Sequence, residues 1–168
     1  ILKTGFEVSD YQGIDDTSSR VNGENHYTHI LCNPYYTAYF TTERKDRLTV
    51  LDILRNFKPR TFIFNAETDL LFHYFNFSKK IKSHIELETQ AIRGKLLSES
   101  EINMLLDKIF LPNKHKTTRK RFIESAAIAA YHQEKDSNQV KILICDDAPQ
   151  FKLLTKELSL CWVHEGRH

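Results

Sequence analysis

The sequence has little of several residues that mark particular classes of protein. Among its 168 residues are five glycines, four prolines, three cysteines, one methionine and one tryptophan. The cysteines, Cys32, Cys145 and Cys161, are odd in number and far apart, so we interpret them as buried free thiols of a reducing cytoplasm rather than a disulfide framework. No apolar run approaches the ~20 residues of a membrane-spanning helix, and the polar start does not resemble a signal peptide.

An excess of one charge is also missing. The chain has 24 Lys and Arg against 22 Asp and Glu, a net charge of +2 at pH 7. This balance neither requires nor excludes a nucleic-acid partner, so the placement of the basic residues matters more. The sequence does not begin with methionine, and it stops just after an apolar stretch. We therefore expect it to be a fragment of a longer protein.

The first 60 residues have the composition of strands joined by short turns. Residues 11–17 predict a strand that ends in Asp15-Asp16, and residues 26–32 and 36–42 predict two more. Asn22-Gly23 favours a tight hairpin between the first two. We therefore predict a three-strand antiparallel meander, followed by a helix over residues 45–55 that ends before Pro59.

Residues 60–138 predict a helical insertion. Ser98 and Glu101 form a capping box ahead of one helix, and Thr117 or Thr118 is a candidate cap for the next. The aromatic segment 62–77 fits either a short strand or a buried helix. Its rings have the chemistry to stack on bases, but core packing is the favoured interpretation.

A short apolar run over residues 140–145 predicts a strand buried on both faces, followed by Asp146-Asp147. Residues 151–160 then predict a helix. A buried strand that is reached through a helix from a meander usually runs parallel to one of its strands, and the first strand is the expected neighbour. The expected fold class is α/β with a mixed sheet.

Two strands thus end in acidic pairs, Asp15-Asp16 and Asp146-Asp147. If the strands are parallel neighbours, their carboxylates lie close together and repel unless a cation lies between them. Oxygen ligands of this kind suit Mg2+ or Mn2+, and two such ions promote phosphodiester displacement. Alternatively, acidic residues at strand ends cap the turns that follow.

Three segments resemble the DDE transposase and retroviral integrase superfamily. The segment 145–151, Cys-Asp-Asp-Ala-Pro-Gln-Phe, is similar to that around its second catalytic Asp. The segment 14–23, with Asp-Asp-Thr and Arg-Val-Asn-Gly, resembles the first-Asp segment of a group of bacterial insertion-sequence transposases. The segment 160–167 is similar to the same group's Cys-x-x-His-x-x-Arg stretch. The resemblance covers most of residues 11–55 and 139–168 and leaves the helical middle unmatched.

The resemblance implies an RNase H-like catalytic core in which Asp15 and Asp146 are catalytic and bind two Mg2+ or Mn2+ ions. Asp16 and Asp147 are the less favoured members of each pair. The implied partners are DNA, at the transposon ends and the target, and a second transposase copy in a homo-oligomeric synaptic complex. The implied location is the bacterial cytoplasm, associated with the nucleoid. The family's third acidic residue, a Glu, has no match before His168, so we expect this chain to be inactive in strand transfer.

A basic run leads into the second predicted helix of the insertion. Such a run can grip DNA phosphates, assisted by the helix N-terminus, or it can be a solvated helix end. The candidate DNA-binding residues are Lys114, Lys116, Arg119, Lys120 and Arg121.

Three alternatives stay open. The first is a non-catalytic DNA-binding remnant of a mobile element. Second, His164, Glu165 and His168 match the His-Glu-x-x-His pattern of zinc metalloproteases, although Gly166 weakens a helix there by ~1 kcal/mol. Third, residues 141–149 resemble the opening of a response-regulator receiver domain, in which an acidic pair binds Mg2+.

Overall fold

The computed structural model describes residues 2–111, 114–134 and 139–161, which form an α/β fold with a five-stranded mixed sheet. The strands are β1 (Tyr11–Val21), β2 (Glu24–Asn33), β3 (Tyr36–Thr42), β4 (Ile142–Cys145) and β5 (Glu157–Leu160). The helices are α1 (Leu2–Glu7), α2 (Arg47–Leu54), α3 (Ala66–Tyr74), α4 (Lys79–Thr89), α5 (Glu99–Ile109) and α6 (Lys116–Gln133), with a 3-10 turn at Gln90–Ile92. None of the described helices is long and apolar enough to cross a membrane.

The chain divides into two compact units. The first contains the described residues of 2–58 and 139–161, with the whole sheet, α1 and α2. The second is Pro59–Glu134 and contains helices α3 to α6. The hypothesis that residues 60–138 are an insertion into a catalytic core stays a prediction.

The sheet has the strand order β3-β2-β1-β4-β5. Strands β1, β2 and β3 pair antiparallel in succession, which confirms the predicted meander. At the first turn Asn22 and Gly23 both have positive φ, at 51° and 83°, as a tight hairpin turn requires. Strand β4 pairs with β1 in parallel, as predicted, through Tyr11↔Ile142, Gln12↔Leu143 and Gly13↔Ile144.

Two of the predicted elements near the acidic pairs are wrong. Strand β1 continues to Val21, because its pairing with β2 extends to the hairpin turn, so Asp15 and Asp16 lie within the strand rather than at its end. Residues 151–160 do not form the predicted helix. Phe151 and Leu154 are buried in an irregular segment, and Glu157–Leu160 is a strand because it pairs in parallel with β4. Phe151 and Leu154 have a spacing that is compatible with a helix. Pairing of the following residues with β4 at the edge of the sheet takes the place of that helix.

The helical unit confirms one predicted cap and corrects the other. At α5 the Ser98 side chain accepts from the backbone of Glu101, whose carboxylate accepts from the Ser98 backbone in return. Helix α6 is not capped by Thr117 or Thr118. It begins at Lys116 after His115, which has a left-handed backbone conformation and makes no capping side-chain hydrogen bond.

The ambiguous aromatic segment 62–77 is mainly helix α3 and core. Phe62 forms an isolated bridge with Leu97, and Phe72 stacks on Phe122 of α6 with ring centroids 5.8 Å apart. Phe62, Phe72 and Phe122 are buried, so core packing accounts for these rings.

In the sheet unit, a buried glutamine joins α1 to the sheet. The Gln12 side chain accepts from the Tyr36 hydroxyl at 2.7 Å and donates to the Gly5 carbonyl at 3.4 Å. Asn33 donates to the same carbonyl at 3.0 Å. Gly5 is buried directly under the Tyr36 ring, and a Cβ atom there would overlap that ring. A side chain at position 5 is therefore incompatible with this network.

We predict that Gly5→Ala lowers the free energy of unfolding by about 1–3 kcal/mol, because the Tyr36 ring must leave the Gln12 side chain to make room. Urea unfolding followed by circular dichroism measures the change. Thr4→Ala, at an exposed position of the same helix, is the control and should unfold like the wild type. Equal stability of Gly5→Ala and wild type would contradict the described packing of α1.

Candidate functional site

The two acidic residues of β1 lie on opposite faces of the sheet. Side chains alternate along a strand, and here Gln12 and Ile14 are buried while Asp15 is exposed. Asp16 follows Gln12 and Ile14 onto the buried face, and its side chain is only 6% exposed. The adjacent carboxylates therefore have different surroundings and different chemical roles.

Asp146 directly follows β4, the strand that pairs with β1 beside Asp15. The last parallel pair of β1 and β4 is Gly13↔Ile144, and Asp15 and Asp146 are each two residues further along. Asp146 directly follows Cys145, which is buried on the same face as Ile14, so its side chain starts on the face of Asp15. Two positions that are far apart in the sequence thus meet at one edge of the parallel pair.

Neither of these carboxylates is neutralised by a basic side chain among the described residues. One oxygen of Asp15 accepts from the backbone N–H of Asp16 at 2.8 Å. One oxygen of Asp146 accepts from the backbone N–H of Ala148 at 3.0 Å, which closes a tight turn after β4. Each carboxylate keeps an oxygen for a further ligand.

Asp16, by contrast, is fully engaged. Its Oδ1 lies 3.2 Å from Lys45 Nζ, and its Oδ2 accepts from Gln150 Nε2 at 2.7 Å. Lys45 also lies over the Tyr27 ring, 5.4 Å from its centroid. Asp16 is therefore a structural carboxylate in this arrangement, and Asp15 is the accessible one.

The loop after β4 is also held from helix α2. The buried Arg47 guanidinium donates to the carbonyl of Lys152 at 2.9 Å and to that of Pro149. Asp147 lies 2.8 Å from Lys152 Nζ at an exposed position of the same loop. Asp147 therefore has a cationic partner, as Asp16 does, whereas Asp146 has none among the described residues.

His29 is a buried histidine next to this arrangement, opposite Asp16 on β2. Its Nε2 contacts Thr42 Oγ1 at 2.9 Å and the Arg44 carbonyl at 3.3 Å, while its buried Nδ1 has no hydrogen-bond partner in the described part of the chain. Burial lowers the pKa of His29, although the Arg44 carbonyl and Asp16 partly oppose the shift. The ring is therefore neutral at pH 7.

The cysteines are less uniform than the sequence suggested. Cys145 is buried, whereas Cys32 and Cys161 are half-buried. Burial, together with the charges of Asp146 and Asp147, raises the pKa of Cys145 to about 12. The Cys145 thiol therefore stays protonated at neutral pH and is a poor metal ligand.

In the helical unit the residues of the basic run have different surroundings. Arg119 donates to the carbonyls of Leu106 and Phe110 at the end of α5. Arg121 donates to the Phe75 carbonyl at 3.2 Å and lies over the Phe75 ring.

Lys120 is paired with the buried Glu124, 3.9 Å away. Lys114 and Lys116 are exposed at the start of α6 and make no ion pair within the described ranges. Among the described residues, two of the five predicted DNA-binding residues thus make no ion pair, and the other three contact neighbouring protein groups.

The donor set at Asp15 and Asp146 suits a hard divalent cation. Mg2+ is commonly bound by one or two carboxylates and completes its shell with water and substrate oxygens. No group of three or more His, Cys, Asp or Glu side chains placed to hold a metal occurs within residues 2–111, 114–134 and 139–161. His164, Glu165 and His168 lie outside these ranges.

The sequence did not point to four residues near these carboxylates, namely His29, Lys45, Arg47 and Gln150. His29 lies opposite Asp16 on β2, Lys45 and Gln150 bond to Asp16, and Arg47 bonds to the loop after β4, all across long separations in the sequence except Gln150 to Asp146. The single local signal was Gln150, the polar residue of the Pro-Gln-Phe segment in the transposase resemblance.

Comparisons with protein-family models, with curated proteins and with solved structures gave no match to this chain.

We predict that the protein becomes less stable as the pH falls below about 6.5, the ordinary pKa of histidine. The folded-state pKa of His29 is lowered, so the unfolded chain takes up this proton at a higher pH than the folded chain does. The loss stops once the pH is below the folded-state pKa. Urea unfolding of the wild type and His29→Gln between about pH 8 and pH 5 isolates this contribution, which the variant should lack. His26→Gln is the control, and a wild-type pH dependence in His29→Gln would contradict the assignment.

Proposed function

We propose that the intact protein is a DDE-type DNA transposase with an RNase H-like catalytic core, in which Asp15 and Asp146 bind divalent metal ions. Two kinds of observation support this. The segments around both residues resemble the catalytic segments of bacterial insertion-sequence transposases. The sheet also has the antiparallel meander and the parallel neighbouring strand that the resemblance implies.

The observation that carries the proposal is the parallel register of β1 and β4. Asp15 in β1 and Asp146 directly after β4 are each two residues beyond the pair Gly13↔Ile144. Neither carboxylate is paired with a cationic side chain among the described residues, whereas Asp16 and Asp147 are paired with Lys45 and Lys152. Two adjacent carboxylates that lack a counter-ion are the arrangement that a bound cation stabilises.

In this mechanism the protein supplies position and charge. Asp15 presents its carboxylate on the exposed face of the sheet, where a DNA phosphate has access. Asp146 presents the second carboxylate from a turn that its own hydrogen bond to Ala148 closes. When bound, two Mg2+ ions would activate the attacking oxygen, first of water and then of a DNA 3′ hydroxyl, and stabilise the leaving oxygen.

DNA contact falls to the exposed cations at the start of α6. Lys114 and Lys116 flank His115, where the first N–H groups of the helix have no side-chain cap. Helix N-termini favour anions, and lysines beside one add to the attraction for a phosphate. Arg119 and Arg121 contribute by fixing the position of this helix end, through their bonds to α5 and to Phe75.

The second candidate is a non-catalytic DNA-binding remnant of a mobile element. It shares the basic surface of the transposase but not its metal site. Metal binding and DNA binding are therefore measured separately below, so that one can fail without the other.

We predict that Mn2+ binds this chain weakly and broadens the backbone amide signals around Asp15 and Asp146 in NMR spectra. Asp15→Asn and Asp146→Asn should each weaken this binding by about tenfold or more, because each removes a charged ligand. Asp10→Asn is the matched control, since Asp10 is exposed and paired with Lys141 on the surface. Broadening at other residues, or none at all, would leave the DNA-binding remnant as the better interpretation.

We also predict that the chain binds duplex DNA through Lys114 and Lys116. The double variant Lys114→Glu/Lys116→Glu should lose most of this binding in a filter assay. The slope of log affinity against log salt concentration should become shallower by about two, as expected for the loss of two phosphate contacts. Lys79→Glu/Lys80→Glu makes the same charge change at exposed positions of α4. An equal loss in this control pair would show a general charge effect and no DNA site at α6.

A further inference from the structure

A side-chain hydrogen bond connects the two acidic segments, in addition to the backbone pairing of β1 with β4. Gln150 Nε2 donates to Asp16 Oδ2 at 2.7 Å, between residues 134 positions apart in the chain. Asp16 precedes no turn and belongs to the regular part of β1, so its position is set by the pairing with β2. Gln150 belongs to the irregular loop that follows β4 and Asp146. The bond therefore ties the loop to the rigid strand.

The same loop is tied at two further points. Arg47 of α2 donates to the carbonyls of Pro149 and Lys152, on either side of Gln150. Within the loop, Ala148 donates its backbone N–H to Asp146. The path of the chain after Asp146 is thus set by hydrogen bonds to β1 and α2. The Asp146 carboxylate is oriented by the turn that its bond from the Ala148 backbone N–H closes.

We propose that Asp16 and Gln150 are positioning residues, whose hydrogen bond holds the Asp146 carboxylate level with Asp15 so that both reach the same divalent cation. This inference rests on the proposed metal site and assigns separate roles to the two aspartates of β1. Asp15 is a ligand. Asp16 is a positioning residue and not a ligand, because its two oxygens are occupied by Lys45 and Gln150. Its side chain also faces the buried side of the sheet.

A structural role alone would make Asp16 and Gln150 matter for stability but not for metal affinity. A positioning role predicts that metal affinity falls even in a variant that folds normally. Residues that orient metal ligands typically change metal affinity by about 10–100-fold when they are removed. Gln150 is half-buried and lies in a loop, so its truncation leaves the core intact.

The experiment measures Mn2+ affinity of the chain by NMR line broadening, with hydrogen exchange of the Ala148 amide as a second readout. The test variants are Gln150→Ala, Asp16→Ala and the conservative Asp16→Asn. Gln133→Ala, at the exposed end of α6, is the matched control for loss of a glutamine. Circular dichroism of each variant reports whether it is folded.

We expect Gln150→Ala and Asp16→Ala to bind Mn2+ about tenfold more weakly than the wild type, and the Ala148 amide to exchange faster in both. Asp16→Asn should recover most of the affinity. Its amide keeps an oxygen for Lys45, and the Gln150 amide can turn to accept from it. Gln133→Ala should match the wild type in both measurements.

Two results would overturn the positioning role. One is wild-type Mn2+ affinity in a folded Gln150→Ala variant. The other is a loss in Asp16→Asn as large as that in Asp15→Asn, which would make Asp16 a ligand. If the wild type itself shows no Mn2+ binding at Asp15 and Asp146, the proposed metal site is wrong, and the positioning role is wrong with it. The failure of the function and that of the inference are therefore distinguishable.

Discussion

The parallel pairing of β1 with β4 is the constraint on which the rest of this structure depends. It joins Tyr11 to Ile142 and so brings together two segments that belong to opposite ends of the chain. Closing so long a loop is tolerable because its entropy cost grows only slowly with length. The intervening Pro59–Glu134 is moreover a compact unit with its own aromatic core. Without this pairing, Asp15 and Asp146 would be two unrelated surface carboxylates.

Local backbone geometry gives the two aspartates of each acidic pair different surroundings. Because side chains alternate along β1, Asp15 and Asp16 cannot face the same way. The buried carboxylate requires partners and has them in Lys45 and Gln150, whereas the exposed one needs none. The pair Asp146-Asp147 is divided differently. There both residues belong to one turn, in which Asp146 accepts from the Ala148 backbone N–H and Asp147 pairs with Lys152. In both pairs the first aspartate has no cationic partner among the described residues.

The basic run shows how packing redistributes charges that look equivalent in a sequence. Arg119 donates to the carbonyl of Phe110 at the end of α5 and to that of Leu106, which also accepts from the Phe110 backbone N–H. Arg121 stacks on Phe75 and donates to its carbonyl. A guanidinium with its several donors suits such tasks better than a lysine does. Lys114 and Lys116 at the start of α6 make no ion pair among the described residues, and both are exposed.

Local sequence determined much of the fold. The Asn22-Gly23 turn set the hairpin, Ser98 and Glu101 set the start of α5, and the apolar run 140–145 contained β4. These features depend on backbone preferences and on hydrogen bonds between residues a few positions apart. Only the tertiary structure decided that 157–160 is a strand, that Asp16 is buried and that Gln150 reaches it, since all three depend on strand pairing. The two acidic pairs could thus be selected as candidates from the sequence. Their roles could not, because a side chain's partners come from distant segments that only folding brings together.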